Sequence, residues 1–361
     1  MTFPSDTARA WVDIDLGALV ANGRTLAEAC GTRLLPMVKA NGYGLGAARV
    51  ARALEALDPW GYGVATMEEG NALRAAGVAR PILVVSPLTR ESIDAIAARG
   101  FRPTIGDPGM LAEWIGRRAG PFHLEIDSGM ARAGIRWDDD TALREAAGLL
   151  ASAPEWEGVF THFHSADSDP ASVATQWDRF QSVLSGLPRR PSLVHAANSA
   201  AALRGRSYAA DLVRPGIFLY GGRAGEAAPS PRPVAALRAR VLAVRSIGPG
   251  DSVSYGATWR ASRRTTVATL GIGYADGLPR VAEGGDGPQR CAELRGRLVP
   301  LVGRITMDMS MVAVDDGEVA VGDVATVFGG KISLDEQARA ARTISYELLT
   351  ALGSRVARRY T

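Results

Sequence analysis

From Leu34 to about Gly222, short apolar runs alternate with polar or Gly-rich turns and then with Ala-rich stretches of helical character, the rhythm of repeated βα units. The predicted strands are LLPMVK (34–39), GYGVAT (61–66), PILVVS (81–86), FRPTI (101–105), FHLEID (122–127), GVFTHF (158–163), SLVHAA (192–197) and DLVRPGIFLYG (211–221). Eight strands with helical segments between them fit an α/β fold of the (β/α)8, TIM-like barrel type better than an open sheet. The stretch GEAAPSPRP (225–233) breaks the rhythm and marks a linker. Beyond it, ALRARVLAV, TTVATLGI, LVPLVGRI, MSMVAV and DVATVF alternate or are β-branched, and Gly and Asp turns leave little room for helices. The expected division is therefore a barrel over 1–232 and a C-terminal, mostly-β domain over 233–361. Within the latter, SLDE (333–336) fits a capping box opening a short helix through Ala341, and SYELLTALG reads as a second helix. WVDIDLGAL (11–19) is a strand-like run ahead of the barrel and a candidate partner for the β-domain.

Composition narrows the class. Apolar residues make up 47% and charged residues 22%, close to globular averages, which argues against disorder, collagen and coiled coil. The 41 basic and 38 acidic side chains leave +3 with the arginines scattered, so the pI of 9.0 reflects arginine usage rather than a nucleic-acid-binding face. Cys30 and Cys291 stand far apart in no CxxC, which excludes a disulfide scaffold and a thiolate zinc site and fits a reducing compartment. No run approaches the ~18 apolar residues of a membrane span, and the N-terminus lacks an apolar signal core. A cytoplasmic protein with neither nucleic acid nor membrane as partner is expected.

In a parallel barrel, functional residues collect where the C-terminal ends of the strands open onto one mouth. Lys39 ends the first predicted strand, Asp127 and Arg132 follow the fifth, His162 and His164 end the sixth, Asn198 and Ser199 follow the seventh, and Arg214 lies in the eighth. Any one of these is as readily an ordinary loop residue; their convergence favours a site. A lysine at the end of LLPMV suits Schiff-base chemistry, with a snorkelling side chain as the plain alternative. GYGLGA (42–47) satisfies a loose dinucleotide fingerprint with Glu68 or Glu69 as its acidic partner, but that reading leaves the later polar residues unexplained. HFH (162–164) places two imidazoles on one strand face, yet only His123 and His195 remain as further histidine ligands, so no metal is expected. His195 reads as a packing or capping residue. Asn198 and Ser199 open a helix, where a phosphate fits as well as a plain N-cap does, with Tyr43 a natural second partner.

PMVKANGYGLG, DSGMARAGIR, THFHSAD, HAANSAA, VRPGIFLYGG, SVSYGATW, GIGYADGLPR, GRITMDMS and TISYELL follow one another in an order that resembles the alanine racemase family over essentially the whole chain. The resemblance implies pyridoxal 5'-phosphate attached to Lys39, and a head-to-tail homodimer with an active site shared across the interface. It implies that Tyr43, Ser199, Gly216 and Tyr346 surround the phosphate, with Asn198 beside them, that Arg132 serves the phenolic oxygen and substrate carboxylate, and that Arg214 meets the pyridine nitrogen. The resemblance further implies that Tyr255 and Met307 come from the partner subunit, with Tyr274 and Asp308 supporting them. The implied reaction interconverts L- and D-alanine with Lys39 and Tyr255 as the two bases, supplying D-alanine for peptidoglycan. Cationic His162 and Arg214 are expected to lower the Tyr255 pKa.

The chain also departs from the family pattern. Glu125 stands where many members carry a carbamylated lysine, His164 where a small residue is usual, and Thr306 where cysteine is common. Glu125 is expected to pair with Arg132, and His164, beside the cofactor, to alter the pocket. A racemase or other pyridoxal-phosphate enzyme for serine or a bulkier amino acid, and a non-catalytic cofactor-binding protein, are the alternative readings.

Overall fold

The computed structural model describes residues 7–280, 288–314 and 319–361. The strands of the first segment are β1 (Ala10–Ile14), β2 (Arg33–Leu34), β3 (Tyr62–Val64), β4 (Ile82–Pro87), β5 (Arg102–Ile105), β6 (Phe122–Asp127), the short β7 (Ile135–Arg136), β8 (Trp156–Phe160), β9 (Leu193–His195) and β10 (Leu212–Val213). Eight of them form a parallel sheet in the order β2-β10-β9-β8-β6-β5-β4-β3. The two ends meet: Met37 bridges Gly63, with Val38 N–H donating to the Gly63 carbonyl and Gly63 N–H to the Pro36 carbonyl, both at 2.9 Å. The sheet therefore closes into the expected barrel, and helices between the strands cover it.

The run 122–127 is a strand as predicted, buried on both faces. The first and last predicted strands are far shorter than 34–39 and 211–221. Leu35 and Met37 N–H still donate to the Val213 and Pro215 carbonyls at 2.8 and 2.9 Å, but Pro36 and Pro215 have no N–H to return, so the regular ladder ends there.

The second sheet contains β11 (Ala235–Ile247), β14 (Thr265–Leu270), β15 (Cys291–Leu294), β16 (Arg297–Pro300), β17 (Ser310–Val314), β18 (Val324–Phe328) and β19 (Ala357–Tyr360); β12 (Ser252–Val253) and β13 (Trp259–Arg260) form a separate hairpin. In the second sheet β1 lies between β11 and β19, so the run ahead of the barrel does pair with the β-domain. Only its first half is strand. Asp15 accepts from Ala18 N–H at 2.7 Å and caps a helix over Leu16–Cys30. The predicted capping box is present, Ser333 Oγ accepting from Glu336 N–H at 3.1 Å and Glu336 Oε2 from Ser333 N–H at 2.7 Å, and helices follow at Leu334–Ala340 and Ser345–Thr350.

Candidate active site

The barrel mouth holds a cavity of about 320 Å³ lined by Lys39, Tyr43, Glu125, Arg132, His162, Asn198, Ser199, Arg214, Gly216 and Tyr346, with Met37, Val85, Phe160, Ile217 and Thr350 among the remaining wall residues. Ten sequence-predicted residues thus converge on one space. Val85 and Phe160 carry no polar signal by which sequence alone marks a site residue.

Lys39 enters the cavity ahead of an unusual turn. Ala40, Asn41, Gly42, Tyr43 and Gly44 all take positive φ, 51°, 54°, 63°, 53° and 81°, and so make one turn of left-handed helix. For an L-residue this region costs roughly 1–2 kcal/mol, and three of the five carry side chains. Specific contacts offset that cost. Ala40 N–H donates to Glu69 Oε1 at 2.6 Å, and Ala47 N–H to Asn41 Oδ1 at 3.0 Å. The Tyr43 ring stacks on Tyr220 at 4.4 Å, and the Tyr220 hydroxyl donates to the Met37 carbonyl at 2.8 Å. Glu69 thus anchors the lysine turn. Burial lowers the Lys39 pKa, Arg132 and Arg214 repel its proton further, and Glu69 opposes them. Its neutral, nucleophilic form is correspondingly favoured.

Ser199 Oγ accepts from Gly216 N–H at 2.8 Å, and a Cβ built on Gly216 would stand 2.3 Å from the Tyr43 hydroxyl oxygen. Glycine leaves a cradle there, edged by two hydroxyls. Burial pushes the Tyr43 pKa up, keeping its hydroxyl a donor. Asn198 Oδ1 caps Ala201 N–H at 3.1 Å, but the helix runs only over Ser199–Ala202. One turn carries little dipole, so an anion here would rely on the individual donors.

Arg214 is 5% exposed and pinned in place. Nη1 donates to His195 Nδ1 at 2.7 Å, and Nη2 donates to the Thr161 and Ala196 carbonyls at 2.7 and 3.0 Å and reaches His162 Nδ1 at 3.2 Å. Its pKa is lowered to about 10 by burial, partly offset by Glu125, so it remains a cation at neutral pH. His162 does not. Burial, Arg214, Arg132 and Lys39 hold its pKa well below the usual value, so the expected cationic His162 is a neutral imidazole. Asp127 lies outside the lining: Oδ1 accepts from Gly129, Met130 and Ala131 N–H at 2.9, 2.8 and 3.1 Å and shapes the loop that carries Arg132.

Two further expectations are corrected. β8 ends at Phe160, so strand alternation no longer governs 162–164; His164 turns outward, is exposed, and bonds Ser165 Oγ at 2.6 Å instead of entering the cavity. No direct hydrogen bond or ion pair joins Glu125 to Arg132 among the described residues; Glu125 is buried, and burial raises its pKa against the pull of Arg132 and Arg214. Among the described residues no group of three His, Cys, Asp or Glu is placed to hold a metal.

Tyr255, Met307, Tyr274 and Asp308 sit apart, on the β-domain. Tyr255 and Thr306 line a second, open cavity of about 620 Å³, and Tyr255 and Met307 are 67% and 52% exposed. Tyr274 N–H donates to the Thr306 carbonyl at 3.0 Å, and Arg355 ties Asp276 to Asp308 at 3.0 and 2.9 Å.

Residues 14–224 match the model of the alanine racemase N-terminal domain and residues 234–360 that of its C-terminal domain. The alanine racemase of Deinococcus radiodurans is 42% identical over 97% of this chain and 99% of its own length; that of Acidiphilium cryptum is 38% identical over 96% and 97%. Among solved structures, the Bartonella henselae alanine racemase with covalently bound pyridoxal phosphate superposes with a TM-score of 0.90 at 31% identity over 98% of this chain and all of that one. The Streptomyces coelicolor enzyme gives 0.90 at 32% identity over 99% of both chains. With both domains matched and relatives aligned over nearly their full length, the chain belongs to the alanine racemase family.

Proposed function

We propose that this protein is a pyridoxal-phosphate-dependent racemase that interconverts L- and D-alanine. The observation that carries the reading is a partly desolvated Lys39 amine sharing one cavity with the Tyr43–Ser199–Gly216 cradle and the buried Arg214. The cradle fits the cofactor, because the missing Cβ at Gly216 lets the Tyr43 hydroxyl come up beside that of Ser199 at one wall of the cavity. When bound, pyridoxal phosphate joins the amino-acid nitrogen and makes the Cα–H acidic by delocalising charge into its ring.

The chain's residues do the rest. Tyr43, Ser199 and the Gly216 backbone, with Asn198 and Tyr346 beside them, hold the phosphate. Arg214, with donors only, holds the ring nitrogen without surrendering its proton. Arg132 orients the substrate carboxylate. Lys39 Nζ takes or returns the Cα proton on one face, and Tyr255 of a second copy of the chain does so on the other.

A homodimer is supported by the exposed Tyr255, Met309 and Leu242 that line the second cavity, with Met307 exposed as well, since an apolar cluster of this kind marks an interface. Met307 then approaches the substrate, with Tyr274 and Asp308 supporting that edge. A cavity of about 320 Å³ shared with a cofactor leaves room for a small side chain, favouring alanine over bulkier amino acids. Among the described residues no helix is long and apolar enough to cross a membrane. We place the enzyme in the cytoplasm, supplying D-alanine for peptidoglycan. The test is to incubate the cofactor-loaded protein with L-alanine, L-serine and larger L-amino acids and measure each D-enantiomer. D-alanine formed fastest supports the reading; no D-amino acid from any of them overturns it.

A further inference from the structure

A chain of buried hydrogen bonds runs from Arg214 at the barrel mouth to its opposite end. His195 closes β9, next to Arg214; His123 and Glu157 are each the second residue of parallel strands, β6 and β8, and Arg102 is the first of β5. Arg214 Nη1 meets His195 Nδ1 at 2.7 Å, His195 Nε2 meets His123 Nδ1 at 2.8 Å, and His123 Nε2 meets Glu157 Oε2 at 3.3 Å. Arg102 pairs with Glu157 at 3.1 Å. Both imidazoles have no exposed surface, in a region where barrels ordinarily stack aliphatic side chains. The barrel makes room for them: a Cβ on Gly158 would stand 2.5 Å from His123 Nδ1, and the His195 ring stacks on Phe160 at 4.9 Å.

The two ends dictate one proton arrangement. A guanidinium only donates, so His195 Nδ1 accepts from Arg214. A neutral His195 then carries its proton on Nε2 and donates to His123 Nδ1. That leaves the His123 proton on Nε2, where the Glu157 carboxylate accepts it. Burial keeps both imidazoles neutral, and every bond points the same way, so each strengthens the next. Reversing either ring would set donor against donor at Arg214 or acceptor against acceptor at Glu157.

We propose that Glu157, at the closed end of the barrel, is a positioning residue for Arg214: as the terminal acceptor beyond His123 and His195 it completes the tautomer chain that holds the guanidinium in a single orientation at the cavity. The catalytic consequence rests on the racemase reading; the tautomer chain itself does not.

The experiment uses the cofactor-loaded protein with ¹⁵N-labelled histidine. The chain has four histidines, so the ring resonances are assignable by single substitution. Wild type should show His123 and His195 purely as Nε2–H tautomers. Glu157→Leu should give mixed tautomers at His123, whose Nε2–H loses its acceptor while Arg214 still holds His195, and lower kcat about tenfold with KM little changed, the loss of roughly one hydrogen bond's worth of positioning. Glu157→Gln, whose amide oxygen still accepts, should keep the tautomers and most of kcat. An Nδ1–H tautomer at His195 in the wild type overturns the proposal without any variant having to fold. So does an unchanged His123 tautomer in Glu157→Leu, or a mixed one with unchanged kcat. A wild type with the Nε2–H pattern but no racemase activity defeats the functional reading alone.

Discussion

Gly216 and the Tyr43 hydroxyl are packed so closely that a single added Cβ would lie 2.3 Å from the oxygen. The contact joins the loop after β10 to the left-handed turn after Lys39, two segments far apart in sequence that must meet to form the cradle. Gly216→Ala forces Tyr43 aside or opens the loop. An overpacked site of this kind loses typically about 1–3 kcal/mol, and Tyr43 also leaves the cofactor site. The variant should melt at a lower temperature and hold pyridoxal phosphate more weakly, both measurable by calorimetry and fluorescence titration. Cofactor affinity equal to wild type would place Tyr43 outside the binding machinery.

Lys39 and Lys331 are the chain's only lysines, and Lys331 is exposed on the β-domain with its ammonium on the Gly296 carbonyl. Borohydride treatment of the cofactor-loaded protein should therefore fix the label on a peptide containing Lys39. Lys39→Ala should abolish both label and racemisation. Labelling at Lys331 would refute the assignment.

The lowered Lys39 pKa has a signed consequence. Its neutral form reacts, so capture of pyridoxal phosphate by cofactor-free protein should rise with pH to a midpoint below the ordinary lysine value of ~10.4. Arg132 repels the proton, so Arg132→Gln should move the midpoint up. A midpoint that stays or falls would mean that the two side chains are not electrostatically coupled.

Parts of this molecule were legible in the sequence because one local signal sufficed. FHLEID sets Phe122, Leu124 and Ile126 in strict alternation and is a strand over its full length; SLDE carries its own cap. The left-handed turn was not legible. Gly42 and Gly44 invite positive φ, but Ala40 and Tyr43 adopt it only because Glu69, Tyr220 and Gly216 hold them from elsewhere. His195 read as packing for the same reason, since its partners Arg214 and His123 come from other strands. His164 misled because alternation was carried past the end of β8. The lysine motif and the motif order were strong enough to gather the cavity and, through the resemblance, to set Tyr255 apart from it.

If Tyr255 of one copy serves Lys39 of another, the two residues should complement across subunits. Tyr255→Phe should slow α-hydrogen exchange from one enantiomer by ~10²–10⁴-fold and spare the other more, because only one face loses its base. Lys39→Ala and Tyr255→Phe chains, each inactive alone in racemisation, should regain activity when refolded together. Equal losses for both enantiomers, or no activity in the mixture, would argue against a shared two-base site.

Glu125 carries the last prediction, because its environment sets stability against function. Burial raises its pKa in the folded state, although Arg132 and Arg214 pull the other way. A carboxyl whose folded pKa exceeds its unfolded value weakens the fold as pH rises through the interval between the two, and the penalty is complete above the folded value. Glu125→Gln should therefore raise the melting temperature at neutral pH, with the gain vanishing in acid, where both states are protonated. A buried charge kept at that cost needs a use, and Arg132 on the same cavity wall supplies one. The carboxylate can orient that guanidinium through a bridging water despite the lack of a direct bond. Glu125→Gln should accordingly raise KM for alanine or lower kcat even as it stabilises the protein. Activity of the wild type should be indifferent to bicarbonate, since Glu125 brings its charge without modification, whereas Glu125→Lys should depend on dissolved carbon dioxide to form a carbamate. A Glu125→Gln enzyme with wild-type kinetics would leave the carboxylate without a role in holding Arg132, and a lower melting temperature would mean that the two arginines more than compensate its burial.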